Sequence, residues 1–178
     1  MTADPAFTGE RPLLPELTPH LEKGETVRWA GRPDVYSILR TKSGLWWIGG
    51  AWLAIWLGVY LLGWIGWSVF APLGLVGAAF IGGPFVMLYE SDKTVYAITS
   101  RRALIVHNGM KPSVVSTPFS AMDEKLEILE TGNGAGHLYF ASNMSTKLRD
   151  ADYTGKLAFR DMKNPRDVAR VLEAARKR

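Results

Sequence analysis

Residues 43–89 hold no Asp, Glu, Lys, Arg or His, an uncharged run of 47 residues in a chain of 178. Nothing else in the chain limits the fold so strongly. A bilayer core is about 30 Å thick and takes ~20 apolar residues per helix, so the run has room for two spans joined by a tight turn, and a single span would leave half of it without a place. We read the first span as residues 44–64 and the second as 68–89, with Ile65, Gly66 and Trp67 turning between them. Trp46 and Trp47 stand at the near end of the first span and Trp64 and Trp67 at its far end, while Tyr89 closes the second, which are the headgroup levels that amphipathic rings prefer.

The flanks set an orientation. Arg40 and Lys42 precede the pair and Lys93, Arg101 and Arg102 follow it, whereas the connection carries no basic residue, so both termini are expected on the cytoplasmic side of an inner membrane. The N-terminus has no apolar stretch behind a basic start, so no cleavable leader is expected and the first span serves as its own membrane signal. Small residues recur at one-turn spacing, Gly50, Ala54 and Gly58 in the first span and Gly74, Ala78 and Gly82 in the second. In lipid, close backbone approach drives helix association, so these two stripes are expected to zip the hairpin, with a face for self-association as the other use. Pro84 is expected to kink the second span. With no ionisable side chain in either span, ion or proton transport is not expected.

Outside the run, charge density is ordinary. Residues 1–42 carry six basic and six acidic side chains, and residues 90–178 carry fifteen and eleven, so the whole net charge of +4 follows the membrane run. So mild an excess does not mark a nucleic-acid binder, which must neutralise several phosphates along one face. It can favour an anionic lipid surface. The absence of cysteine removes disulfides, thiolate catalysis and thiolate metal sites together.

Before the membrane, Thr18 and Pro19 read as the start of a short helix over 19–23 that stops at Gly24, residues 26–30 read as a strand with Val27 and Trp29 on one face, and 34–42 reads as an interfacial helical lead-in. After it the period changes to two. Residues 94–99 and 103–107 pair across the turn Ser100, Arg101, Arg102, and Asn108-Gly109 turns the chain into 113–119. Residues 125–131 alternate Leu126 and Ile128 against charged neighbours, the glycine-rich turn 132–136 returns the chain into 137–141, and 156–162 sets Leu157 and Phe159 inward with Lys156, Ala158 and Arg160 outward. The chain closes with a helix: Asn164 as N-cap, Pro165 at the first helical position, Asp167 in the first turn, Arg176, Lys177 and Arg178 in the last, and an apolar stripe of Val168, Val171, Leu172 and Ala175.

This yields a membrane α-helical hairpin plus an α+β cytoplasmic domain, divided as an N-terminal segment 1–43, the hairpin 44–89 and a β domain 90–178. The segments LEKGETVRWAGRPD (21–34), YAITSRRALIV (96–106), GNGAGHLYF (132–140) and LAFRDMKNPRDVARVLEAA (157–175) resemble the bacterial pleckstrin-homology domain membrane proteins, which place two transmembrane helices before the domain. The resemblance implies an antiparallel β-barrel or sandwich of about six to seven strands capped by a C-terminal helix, and a membrane-bound interaction module without an enzymatic activity. The segment 120–125 with Asp123 and Glu124, and the polar loop 142–154, depart from the strand pattern.

No catalytic or metal constellation emerges. His20, His107 and His137 are isolated and lack ligand spacing, so satisfied or solvated imidazoles are expected, and the carboxylate pairs Asp123 with Glu124 and Asp150 with Asp152 read as solvated loops. The Gly132 to Gly136 stretch lacks a following helix N-terminus to hold a phosphate and reads as a hairpin turn. No cofactor is expected. The sharpest candidate is the basic turn of Arg101 and Arg102, with Lys93 and Lys111, facing anionic lipid headgroups; the plainer reading is that these residues fix topology and solubilise the turn. The expected partners are the bilayer and a membrane or cytoplasmic protein, with self-association as a further expectation and no nucleic acid.

Overall fold

The computed structural model describes residues 3–10, 14–132, 134–142, 144–148 and 150–177. Two compact units form, Met1–Asp34 together with Glu90–Arg178 as one and Val35–Tyr89 as the other. The second is a pair of helices, α2 (Val35–Leu61) and α3 (Trp67–Asp92), both long and apolar enough to cross a membrane. At about 1.5 Å per residue, their 27 and 26 residues reach some 40 Å, more than a bilayer core.

The turn between them falls earlier than expected, over residues 62–66. Gly63 sits at φ +75°, its N–H donates to the Tyr60 carbonyl and the Trp64 N–H donates to Val59. This is a Schellman ending, which glycine permits in the left-handed region, and it leaves Trp64 outside the helix while Trp67 begins α3. The expected small-residue stripes do not zip the pair. A Cβ at Gly50, Gly58, Gly74 or Gly82 would meet nothing within 4 Å, and Ala54 and Ala78 are exposed. Contact runs instead through Gly49 and Gly77: a Cβ on Gly49 would lie 2.9 Å from Phe80 and Ile81, and one on Gly77 would lie 2.6 Å from Leu53. The indoles of Trp46 and Trp52 add donors to the Ile81 and Leu73 carbonyls at 3.1 and 2.8 Å, and Tyr60 stacks on Phe70 with centroids 4.8 Å apart. In apolar surroundings such N–H donors are satisfied by backbone oxygens, and small residues let them reach.

The other unit is built from eight strands and the terminal helix. A five-stranded sheet has the order β1 (Ala3–Gly9), β2 (Val27–Gly31), β3 (Thr94–Thr99), β4 (Arg102–His107), β5 (Ser113–Pro118), parallel only between β1 and β2. A three-stranded antiparallel sheet comprises β6 (Glu127–Gly132), β7 (Ala135–Ala141) and β8 (Leu157–Lys163), and α4 (Pro165–Arg176) follows. The principal core unites Tyr96, Ile98, Ile105, Leu138, Phe140, Leu157 and Phe159 with Val168 and Leu172 of α4. A second core lies on the opposite face of the large sheet, where Leu14 and Leu17 of α1 (Leu14–Leu17) and Leu21 cover Val27, Val95, Ala97, Leu104 and Val106. β3 is therefore buried along its whole length, and it reads as a continuous run because both of its faces are covered.

The N-terminal residues thus belong to the β unit, since β2 pairs with β3 across the entire helical hairpin of the sequence. Other expectations shift with them. The α-helical turn precedes Thr18, whose hydroxyl donates to the Leu14 carbonyl at 2.9 Å, and only a 3-10 turn (Thr18–His20) follows. A bulge between Val27 and Trp29 sends Val27 into the second core and Trp29 toward the first, so the two do not share a face. The connection after β4 spans residues 108–112, as the Asn108-Gly109 signal leading into residue 113 implies. Ile128 is 37% exposed, and a register shift in β8 buries Ala158 completely. Asn164 stands before α4 in the left-handed region, φ 48°, without a side-chain cap; its carbonyl receives Asp167 N–H and its N–H donates to Gly134. Asn133 and Arg178 lie outside the described residues.

Candidate functional site

The hairpin of β3 and β4 has two ends with different chemistry. At the turn, Arg102 is the first residue of β4, and its guanidinium grips Glu25 in a two-pronged pair, Nε to Oε1 at 2.9 Å and Nη2 to Oε2 at 2.8 Å. It also reaches Ser116 Oγ, the His20 carbonyl and Glu22. The Thr99 hydroxyl donates to Glu25 Oε1 at 2.6 Å and accepts the Arg102 N–H at 3.0 Å, and the Glu22 N–H also donates to Oε2, at 2.8 Å. Burial pushes the Glu25 carboxyl upward, but the hydrogen bonds from Arg102, Glu22 and Thr99 outweigh it and hold it down at about 2. Arg101 is exposed, 3.6 Å from Glu22.

At the other end, Lys93 and Lys111 stand near the close of α3. Lys93 lies 3.4 Å from Asp92, and Lys111 is exposed in the loop 108–112. The Asn108 N–H donates to the Lys93 carbonyl and the Met110 N–H to Glu90 Oε1, both at 2.8 Å. Of the four basic residues singled out from the sequence, Arg101 and Arg102 are together at one end and Lys93 and Lys111 at the other. With six residues in β3 at ~3.3 Å each, roughly 20 Å separates the two ends.

At the Lys93 end, where Thr94 opens β3 opposite His107 at the close of β4, lies a buried polar chain that sequence reasoning missed. The Thr94 hydroxyl lies within hydrogen-bond reach of both the Glu90 carbonyl, at 2.8 Å, and Nδ1 of His107, at 2.9 Å. Nε2 of His107 faces Asp150 Oδ2 at 2.7 Å. Thr94, His107 and Asp150 are each less than 5% exposed, so Asp150 is no solvated loop residue: it pins the loop 142–154 to β4. His107 is a satisfied imidazole. His137 accepts the Asp161 N–H at Nδ1, and burial lowers its pKa. No group of three His, Cys, Asp or Glu able to hold a metal ion occurs among the described residues.

A cleft opens where β1, β2 and α4 meet. Two adjoining hollows of about 290 and 490 Å³ share Trp29, Asp167 and Val168. Trp29 forms the floor, its indole 6.0 Å from Phe159 in the core and lying across Gly31, where a Cβ would come within 2.6 Å of the ring. Val171 and Ala174 continue the apolar wall. The rim alternates in charge: Arg32 pairs with Glu16 and Asp92, Lys163 with Asp34, and Arg170 with Asp167. A polar rim around an apolar floor suits a segment that inserts one hydrophobic side chain and lays its backbone between charges.

No family model, curated protein or solved structure matches this chain. Sequence reasoning placed Trp29 on a strand and Val171 on a helix but had no means to bring them together, because the contact joins residues more than a hundred positions apart. The Glu25 to Arg102 pair escaped for the same reason, and the only local signal was an acidic residue beside a buried strand start.

Proposed function

We propose that this is a two-span membrane protein whose β domain, assembled from both sides of the hairpin in the sequence, is a non-enzymatic interaction module of pleckstrin-homology-like architecture that holds a protein partner at the cytoplasmic face of the inner membrane. The observation that carries the reading is the cleft over Trp29, with its apolar floor and alternating rim. Two mainly antiparallel sheets with a terminal helix packed against the core support the architecture. The pairing of β2 with β3 supports the two-span topology: strands on either side of the apolar run share one sheet, and two crossings return both of them to one side of a membrane. The basic flanks, Arg40, Lys93 and Arg101, support the cytoplasmic side.

The alternative of a headgroup site at Arg101 and Arg102 has less behind it, because the Arg102 guanidinium is occupied by Glu25 and the turn lies a strand's length from α3. A photo-cross-linking residue in place of Val171, in the full chain in native membranes, tests the proposal against the same residue in place of Tyr153, which is 93% exposed on the polar loop. The expected result is a discrete protein adduct at 171, absent at 153 and lost when Ala174→Arg fills the cleft. Equal labelling at both positions, or none at 171, would overturn it.

A further inference from the structure

We infer that the loop 108–112 rests in the bilayer interface, with the Met110 side chain at the boundary of headgroups and acyl chains and Lys111 against lipid phosphates. The inference rests on the proposed reading of α3 as a membrane span and adds a second contact between the β domain and the lipid surface.

Covalent continuity ties the loop to the end of the span. Tyr89 ends the uncharged run and Glu90 is the next residue, one helical rise of about 1.5 Å further along. The loop is fastened to this point by two backbone donors, Met110 N–H to Glu90 Oε1 and Asn108 N–H to the Lys93 carbonyl. Gly109 lies so close against the Glu90 carboxylate that a Cβ there would collide with it. The headgroup layer is about 5–8 Å deep on each side of the hydrocarbon, so a loop fixed to the first residue beyond a span is held at headgroup depth.

The side chains match that depth. Met110 is 64% exposed and Val114 44% exposed, Lys111 and Pro112 are exposed, and no acidic residue occurs from Asn108 to Pro118. An exposed flexible thioether beside an ammonium is the pairing that interfacial segments use, the apolar atoms below the phosphates and the cation at their level. The opposite end of the same hairpin is the internal control: Ser100 and Arg101 present no large apolar side chain and stand a strand's length away.

Because the chain has no cysteine, single substitutions report cleanly. Met110→Cys, Ser100→Cys and Leu57→Cys in the full chain are labelled with an environment-sensitive fluorophore and reconstituted in vesicles of phosphatidylcholine and phosphatidylglycerol containing lipids with shallow or deep nitroxide quenchers. Leu57, 45% exposed and within the uncharged run, reports the span itself. The expected result is deep quenching at Leu57, shallow quenching at Met110 at least about twofold above that at Ser100, and a fall in the Met110 signal on Lys111→Glu. Quenching at Leu57 with equal, weak quenching at Met110 and Ser100 overturns this inference and leaves the span reading intact. No deep quenching at Leu57 overturns both. Shielding of Met110 from an aqueous quencher without lipid quenching would show a protein covering the loop and would also overturn the lipid contact.

Discussion

The two ends of the β3–β4 hairpin carry similar basic residues and do different work. At the turn, Arg102 is enclosed, only 17% exposed, and Glu25 is wholly buried beneath it, so charge is spent on joining residues 20–25 to the sheet. At the loop, Lys111 and Met110 are exposed, and the backbone amides of Asn108 and Met110, with the Asn108 side chain reaching Glu16, hold the loop in place. The lesson is that basic residues near a membrane span are not equivalent by sequence distance: register decides which end of a strand they occupy, and a carboxylate from a remote segment decides whether they remain available.

Three changes test this contrast, beginning with the largest effect. Truncating Arg102→Ala strands a buried carboxylate and is expected to cost about 3–4 kcal/mol in unfolding free energy, whereas Lys111→Ala should stay within ~0.5 kcal/mol. Equal losses in a denaturant titration would abolish the distinction. Buried behind the loop end, Asp150→Asn alters the chain through His107 to Thr94 and should cost about 2–3 kcal/mol while raising proteolysis in the loop 142–154. Stability unchanged by that substitution would show the buried chain to be incidental.

The third is a pH effect. Glu25 is held at about 2 in the folded protein against an ordinary 4.5, so the unfolded chain takes up the proton first as acid is added. Its contribution is complete above about pH 4.5 and is lost as pH falls toward 2, and with allowance for solvent screening around the exposed Glu22 it amounts to roughly 1–2 kcal/mol. Glu25→Gln should flatten the stability profile in that window; a profile as steep as the parent's would place the acid-sensitive carboxylate elsewhere.

Legibility in the sequence followed the range of the interactions. The two apolar helices, β3, β4, β7, β8 and the stripe of α4 were readable because periodicity, uncharged length and terminal residues act within one element. The helix-packing residues lie one position away from the stripes: the one-turn repeat of small residues runs through Gly50 and Ala78, whereas the partner helix meets Gly49 and Gly77, each followed one turn on by a large side chain, Leu53 and Ile81. β1, residues 3–9, was missed because its parallel pairing to β2 depends on a neighbour far along the chain and leaves no hairpin signal. The inclusion of residues 14–21 in the β unit was invisible for a related reason, since three leucines in a polar segment declare nothing until a second face of the sheet needs cover.

The account stands on a β domain closed by strands from both sides of a two-span hairpin, and sidedness tests it most directly. Single cysteines at Lys23, Lys125 and Leu62 in the full chain, exposed to a membrane-impermeant maleimide before and after permeabilisation, report the three regions separately. The account predicts that positions 23 and 125 are protected together in intact cells and label together on permeabilisation, while Leu62 labels from outside. Labelling of 23 and 125 on opposite sides would contradict it.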